Sequence, residues 1–155
     1  MVSKITFGIL KPDAIIRNLE EEIYKRITSH GLSIYKKRRV RLTETEVNLI
    51  YGHNKDKPFY PHFIKYMTVA DSEPFLATLF DGRDAIKLLN EIVGYWEPEK
   101  AEKGTIRGDL AIKDFFKEYS LATQNLIHSA REKNNVISEA KLFFSEELEY
   151  IYLLI

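Results

Sequence analysis

The sequence contains no cysteine, and this absence removes several classes of protein at once. A disulfide framework, a thiolate zinc site, an iron–sulfur cluster and a cysteine nucleophile all require the thiol group. Basic and acidic side chains number 23 each, so that the formal net charge is zero. A chain without net charge has no global field that attracts nucleic acid or anionic lipid. Any site for an anion must therefore be local.

Long hydrophobic runs are also missing, since no stretch approaches the roughly 18–20 apolar residues that span a bilayer. Residues 1–10 alternate apolar and polar side chains and lack the continuous apolar core of a signal peptide. We therefore expect a cytoplasmic protein that does not contact a membrane. The 155 residues contain no repeat, low-complexity tract or linker, which predicts a single domain over residues 1–155.

Four segments have the marks of β-strands, either period-two alternation or a short apolar run closed by turn residues. They lie at residues 5–9, 32–42, 74–80 and 125–128. The first strand leads to Lys11, because Pro12 cannot continue a hydrogen-bonded ladder. The second strand is unusually basic, and its apolar side chains are expected on one face, at Leu32, Ile34, Val40 and Leu42.

Helical spacing of apolar residues, with capping residues at several ends, predicts the helices between these strands. They lie at residues 19–27, 43–51, 63–67, 85–93 and 136–140. The irregular order of elements predicts an α/β fold of the α+β type. We expect a small mixed or antiparallel sheet with helices on one face.

Three segments are less regular. Residues 95–109 are predicted to form a long loop, and long loops inside compact domains tend to be functional. The segment 110–120, which contains Phe115, Phe116 and Tyr119, fits either a helix or an ordered loop. The apolar tail 150–155 either docks on the core or waits for a partner subunit.

The histidines differ in their surroundings. His30, His53 and His62 lie in polar segments and are expected at the solvated surface. His128 ends an apolar run, and the acidic Glu139 follows on the next segment. A carboxylate that holds one ring nitrogen leaves the other free as a nucleophile or base. The alternative is a hydrogen-bonded histidine with a structural use.

Two cations are candidates for phosphate binding, although neither glycine-rich phosphate loop motif occurs in the sequence. Lys11 stands at a strand end, where it is either a phosphate ligand or a surface lysine. Arg107 is flanked by Gly104 and Gly108, which allow an anion to approach the backbone. The alternative is a plain turn with a salt bridge from Arg107 to Asp109.

The basic run at residues 36–41 could form a patch that binds nucleic acid. Alternation along a strand divides these charges between two faces, and the chain as a whole is neutral. The pattern therefore favours a solvated strand, and nucleic acid is not an expected partner.

Four motifs, in one order along nearly the whole chain, make the sequence resemble the nucleoside diphosphate kinase family. The first is Lys11-Pro12-Asp13-Ala14, and the last is Asn125-Leu126-Ile127-His128. Two motifs lie between them. One consists of Tyr51, residues 55–61 and residues 65–67, and the other is the run at residues 104–109. The resemblance implies a ferredoxin-like sandwich and a kinase that moves the terminal phosphate of a nucleoside triphosphate to a diphosphate through a phosphohistidine.

The resemblance also implies roles for individual residues. His128 would be the phosphorylated nucleophile, and Glu139 would orient it. Lys11 would act both in catalysis and in binding, and Phe59 would stack on the base. Phosphate and sugar would be bound by Lys11, Tyr51, Arg107 and Asn125. The family's magnesium is expected on the nucleotide phosphates and not on protein ligands.

The same resemblance implies a homo-oligomer built from a common dimer. A hexamer is the expected form, with a tetramer or a dimer as alternatives.

The sequence departs from the family pattern at several positions. Asn90 stands where the family has a phosphate-binding arginine, and Trp96 stands where it has a threonine. Residues 129–132 differ from the usual Gly-Ser-Asp-Ser, and the segment before Asn125 is longer than the common form. We expect Arg131 to replace the missing cation, with Arg83 and Lys87 as alternatives, and Trp96 to stack on the base or narrow the pocket.

These departures leave alternative functions open. A catalytically weak or inactive protein on the same fold could bind nucleotides or nucleic acid without turnover. A subunit with a purely structural use in an assembly would account for the apolar tail. The presence of the nucleophile, its carboxylate and both cations favours the active kinase.

Overall fold

The computed structural model describes residues 2–68, 75–113 and 124–155. The strands of this part are β1 (Ile5–Leu10), β2 (Ser33–Val40), β3 (Phe75–Asp81) and β4 (Ile127–Ser129). The helices are α1 (Pro12–Ile16), α2 (Glu20–Ser29), α3 (Glu44–Tyr51), α4 (Tyr60–Thr68), α5 (Ala85–Val93), α6 (Ile106–Leu110), α7 (Lys133–Phe143) and α8 (Leu148–Leu154). Among these described helices, none is long and apolar enough to cross a membrane.

The strands form an antiparallel sheet in the order β2-β3-β1-β4. Every residue of β1 is buried, including Thr6 and Gly8 at its polar positions. Ile5, Phe7 and Ile9 join a first core with α3, α4, α7 and α8, while Leu10 joins a second core with α2 and α5. Helices therefore cover both faces of the sheet, and the expectation of one covered face was wrong because the central strand is buried on both sides.

A bulge in β2 corrects the predicted face of that strand. The register with β3 shifts at Tyr35, between its two neighbours. One inserted residue moves the following side chains to the opposite face of the sheet. Leu32 and Ile34 accordingly lie with the second core, whereas Val40 and Leu42 lie with the first.

The basic residues of β2 are matched by acidic residues. Each side chain at positions 36–39 forms an ion pair, with N···O distances of 2.6–3.4 Å. The even-numbered residues reach Glu146 and Glu147, which precede α8, and the odd-numbered residues reach Glu20 of α2. The charge of this strand is therefore balanced locally, as in the solvated-strand interpretation.

The structure gives a separate outcome for each of the three less regular segments. The predicted loop at 95–109 contains the start of α6, a helix too short to produce a clear period. Of the ambiguous segment 110–120, residues 114–120 with their three aromatic side chains lie outside the described residues. The tail forms α8, which docks through the buried Ile151, although Tyr152 and Leu153 remain exposed.

Candidate active site

A cavity of about 570 Å³ opens beside the adjacent ends of β1 and β4. The seven residues to which the family resemblance gave roles all line this cavity. They are Lys11, Tyr51, Phe59, Arg107, Asn125, His128 and Glu139. A larger and more open groove of about 1170 Å³ lies next to it and shares Trp96, Arg107 and Arg131, but His128 does not line that groove. The smaller cavity is therefore the candidate site.

His128 is held by a carboxylate from the following helix. It lies in β4, and its Nε2 is 2.7 Å from Oε2 of Glu139. Glu139 belongs to the buried face of α7 together with Val136 and Ala140, which is why its side chain points inward. Since a carboxylate accepts hydrogen bonds, Nε2 is the donor, and in the neutral imidazole Nδ1 then keeps its lone pair. The ring of Tyr51 packs edge-on against the imidazole, with centroids 5.1 Å apart.

Lys11 is a buried cation at the end of β1. Its Nζ donates to Oδ1 of Asn125 at 2.8 Å and lies 5.6 Å from the ring centroids of both Tyr51 and Phe63. Burial lowers the pKa of Lys11 to about 7, since the charged form is poorly solvated there. The charge of Asp13 opposes this shift, and the charge of Arg107 adds to it.

Asp13 fixes the backbone that carries Asn125, a role that the sequence did not indicate. Its Oδ2 accepts the backbone N–H of Leu126 at 3.0 Å, and the hydroxyl of Tyr66 donates to Oδ1 at 3.1 Å. Leu126 has a φ of +72°, which is uncommon for a residue other than glycine. The backbone N–H of Lys11 in turn donates to the Leu126 carbonyl at 2.8 Å. Asp13 thus couples the ends of β1 and β4.

Replacing Asp13 with alanine is expected to lower the free energy of unfolding by about 1–3 kcal/mol. The variant leaves the N–H of Leu126 buried without its acceptor, next to a strained backbone conformation. Urea unfolding measures the loss, and Asp56→Ala, in an exposed loop, is the matched control. If both variants unfold at the same urea concentration, Asp13 does not stabilise this segment.

Arg107 donates hydrogen bonds to three backbone carbonyls. Its Nε and two terminal nitrogens reach the oxygens of Asn125, Gly94 and Ile127, at 3.1, 3.0 and 2.5 Å respectively. The guanidinium therefore connects Gly94 with the segment from Asn125 to Ile127, while its charge faces the cavity. Burial lowers the pKa of Arg107 to about 10, and a smaller contribution in the same direction comes from Arg131.

The alternative of a salt bridge between Arg107 and Asp109 was wrong. Asp109 instead pairs with Arg26 of α2 at 2.7 Å, because the Arg107 side chain is directed at the buried carbonyls. Packing explains why position 108 is a glycine, since a Cβ at this position would overlap the backbone carbonyl of Glu102. The cap of α6 therefore requires this glycine whether or not an anion is bound.

Aromatic and polar groups complete the cavity wall. The hydroxyl of Tyr51 is buried and has no hydrogen-bond partner among the described residues. Burial raises the pKa of this phenol, so that it remains a neutral donor. Phe59 is half-buried at the cavity, where its ring packs edge-on against Phe63. The amide of Asn125 is oriented by a hydrogen bond of 2.9 Å to the Trp96 carbonyl.

The positions that depart from the family pattern have distinct surroundings. Asn90 accepts a hydrogen bond from Ser129 Oγ and donates one to the Ala130 carbonyl, each at 2.8 Å. Arg131 and Trp96 line the cavity of His128. Of the other cations considered, Lys87 lines the larger groove and Arg83 lines a separate pocket. Arg131 is therefore the candidate that reaches the site.

Residues 2–68, 75–113 and 124–155 contain no group of three or more histidine or acidic side chains that could hold a metal ion. The acidic side chain that lines the cavity in this part of the chain is Glu139, and it is bonded to His128. The donor set of the described cavity wall is thus cationic and neutral, which suits phosphate oxygens and not a bare divalent cation.

Fold and cavity together define an α+β protein with a cationic site centred on a histidine. The sequence model of the family "Nucleoside diphosphate kinase" matches residues 4–148. A nucleoside diphosphate kinase of Nitrosospira multiformis is 33% identical over 146 residues, which cover 94% of this chain and 96% of that protein. A nucleoside diphosphate kinase of Methanosphaera stadtmanae is 35% identical over 141 residues, covering 91% and 86%.

Solved structures agree with these relatives. The apo nucleoside diphosphate kinase of Encephalitozoon cuniculi superposes with a TM-score of 0.80 and 27% identity over 96% of this chain and 99% of that chain. A halophilic nucleoside diphosphate kinase of Halobacterium salinarum, in complex with CDP, gives a TM-score of 0.77 and 25% identity, covering 97% and 99%. The chain belongs to the nucleoside diphosphate kinase family, and the resemblance and fold predicted from the sequence are confirmed.

Proposed function

We propose that the protein transfers the terminal phosphate of a nucleoside triphosphate to a nucleoside diphosphate, and that His128 carries the phosphoryl group between the two half-reactions. The observation that carries this proposal is the pair of His128 and Glu139, in a cavity with Lys11 and Arg107. Relatives and structural neighbours that match nearly the whole chain are named nucleoside diphosphate kinases, and one structural neighbour is in complex with CDP.

The histidine supplies the nucleophile of the first half-reaction. The lone pair of His128 Nδ1 attacks the terminal phosphorus, a P–N bond forms, and the P–O bond to the departing diphosphate breaks. The diphosphate leaves with the electron pair of that bond. Glu139, bonded to Nε2, balances the positive charge that develops on the imidazole. The second half-reaction is the reverse, with another diphosphate as the acceptor.

The cations neutralise the charge on the phosphates. Phosphoryl transfer needs an in-line nucleophile and positive charge around the equatorial oxygens, with little other covalent help. Lys11 and Arg107 supply that charge, and both are held in place by hydrogen bonds before a nucleotide arrives. The free hydroxyl of Tyr51 and the oriented amide of Asn125 can then donate to the phosphate or the ribose.

The base is expected to stack on Phe59. Every base presents a π-face, so stacking without hydrogen bonds to the base edge tolerates all of them. Broad nucleotide use follows from this arrangement. Magnesium would enter on the nucleotide phosphates, whose charge it shields, because the described cavity wall offers no free carboxylate.

Initial-rate kinetics test the proposal. A phosphoenzyme intermediate predicts parallel double-reciprocal lines when donor and acceptor nucleotide are varied. His128→Ala should abolish transfer, whereas His30→Ala, which removes an exposed histidine at the end of α2, should retain it. Intersecting lines, or an active His128→Ala variant, would contradict a phosphohistidine mechanism.

Binding without turnover is not favoured as the function. That alternative depended on Asn90, Trp96 and the basic strand. The side chains at 36–39 are paired with acidic neighbours, which leaves little free charge for nucleic acid. The catalytic pair and Lys11 are assembled despite the two changed positions.

We also infer self-association, with a hexamer as the expected form. Tyr152 and Leu153 expose apolar surface on α8, which is consistent with a protein interface. Light scattering gives the multiple of the chain mass and distinguishes a hexamer from a tetramer or a dimer.

A further inference from the structure

We propose that Arg131 binds the phosphoryl group that is transferred, as a cation additional to Lys11 and Arg107. The inference rests on the proposed function and names a further residue of the same site. It depends on three observations: the free donors of Arg131, the fixed backbone beside it, and its place in the cavity.

The cations at the cavity differ in how many donors they can offer. Lys11 is buried and bonded to Asn125, and Arg107 donates to three carbonyls. Arg131 is exposed, and no described residue accepts a hydrogen bond from its guanidinium. A guanidinium with all its N–H donors available can bind phosphate oxygens in a bidentate manner. Of the two arginines on the described cavity wall, Arg131 therefore has more N–H donors available for a ligand than Arg107.

The backbone just before Arg131 is held by two neighbouring elements, strand β1 and helix α5. The N–H of Ala130 donates to the carbonyl of Phe7 in β1 at 2.9 Å. Asn90 of α5 donates to the Ala130 carbonyl and accepts from Ser129 Oγ, each at 2.8 Å. Asn90 therefore acts as a positioning residue for the segment between His128 and Arg131. A cation on a fixed backbone loses less conformational entropy when it binds.

The position of Arg131 points to the reacting phosphate and not to the base. Arg131 lines the cavity together with Arg107 and His128. Arg131 thus shares the wall of Arg107, and its charge adds to the lowering of the Arg107 pKa. It also follows His128 by three residues on the same segment. Two guanidinium groups near one histidine favour an anion between them.

The test compares two ligands that differ by one phosphoryl group. In a His128→Ala background, which cannot be phosphorylated at this position, calorimetry measures the Kd of magnesium ATP and of magnesium ADP. Arg131→Gln should raise the Kd of ATP about tenfold or more and change the Kd of ADP less than about threefold. Arg131→Lys keeps the positive charge but loses the bidentate guanidinium, so its Kd for ATP should lie between those of the parent protein and Arg131→Gln.

Arg83→Gln is the matched control, because it removes the same charge at a separate pocket. It should leave both affinities unchanged. An Arg131→Gln variant with unchanged affinities, or with equal losses for ATP and ADP, would overturn the proposal. Failure of the phosphohistidine mechanism would appear separately, as an unlabelled wild-type protein in the presence of labelled ATP.

Discussion

Lys11→Met is expected to lower kcat/KM about a thousandfold, the upper range for removing one preorganised group that stabilises the transition state. The ammonium group is buried beside two aromatic rings and held by Asn125, so that little reorganisation is needed when charge develops on the transferred phosphoryl group. Steady-state kinetics measure the effect. Lys25→Met, an exposed change on α2, is the control. A Lys11→Met variant with wild-type kcat/KM would remove Lys11 from the site chemistry.

The same lysine is expected to make nucleotide affinity depend on pH. Its pKa is lowered to about 7, so Nζ is charged below this pH and becomes neutral as the pH rises through it. A bound phosphate favours the charged form, and binding should therefore weaken above pH 7, by up to about tenfold per pH unit. Nucleotide titrations between pH 6 and 8.5 measure how Kd changes with pH in the wild type and in Lys11→Met. The nucleotide ionises in both experiments, whereas the lysine ionises only in the wild type, so the difference between the two slopes is the contribution of Lys11.

Glu139→Gln is expected to slow the phosphorylation of His128 by up to about 10⁴-fold, the loss found when the buried carboxylate partner of a catalytic histidine is replaced by its amide. The amide has nearly the same shape, but it carries no charge to balance the imidazolium and can present a donor to Nε2. A donor at Nε2 favours the wrong tautomer, in which Nδ1 carries the proton. Rapid-quench measurement of the phosphoenzyme gives the rate directly.

The control for this experiment is Glu149→Gln, an exposed change on α8. Thermal unfolding should be little changed in either variant, which would separate a loss of chemistry from a loss of structure. An equal rate of phosphorylation in Glu139→Gln and the wild type would show that the carboxylate does not act through His128.

Much of the fold follows from local patterns in the sequence. The alternating residues of β1 and the apolar spacing of α5 place these elements correctly, and the reciprocal hydrogen bonds of Thr43 and Glu46 begin α3 as predicted. These signals work because each depends on neighbours within a few residues. The short helices α1 and α6 were missed since five residues do not establish a helical period.

The register of β2 could not be predicted in this way. The bulge at Tyr35 depends on the pairing with β3, a strand some forty residues away, and the sequence of β2 alone fits either register. The division of the apolar residues between two cores follows from that pairing. The two-sided burial of β1 likewise depends on helices that are distant in sequence.

Within the site, residue types were recognisable but their partners were not. Lys11 and Asn125 are 114 positions apart, and only the fold brings the ammonium to the amide. The bond of Asp13 to Leu126 has the same origin, and its significance lies in a backbone conformation that no residue type reveals. The hydrogen bonds of Asn90 to Ser129 and Ala130 were not predicted, because an asparagine in place of the family's arginine suggested a lost phosphate contact and not a new contact within the protein.

Isolation of the phosphoenzyme tests the role of His128 directly. The wild type and His128→Ala are incubated with γ-labelled ATP and magnesium, separated from nucleotide, and then given GDP. The wild type is expected to retain acid-labile phosphate and to transfer it to GDP, and His128→Ala is expected to do neither. A wild type that never retains label, or a variant that retains it equally, would contradict the assignment of His128 as the phosphoryl carrier.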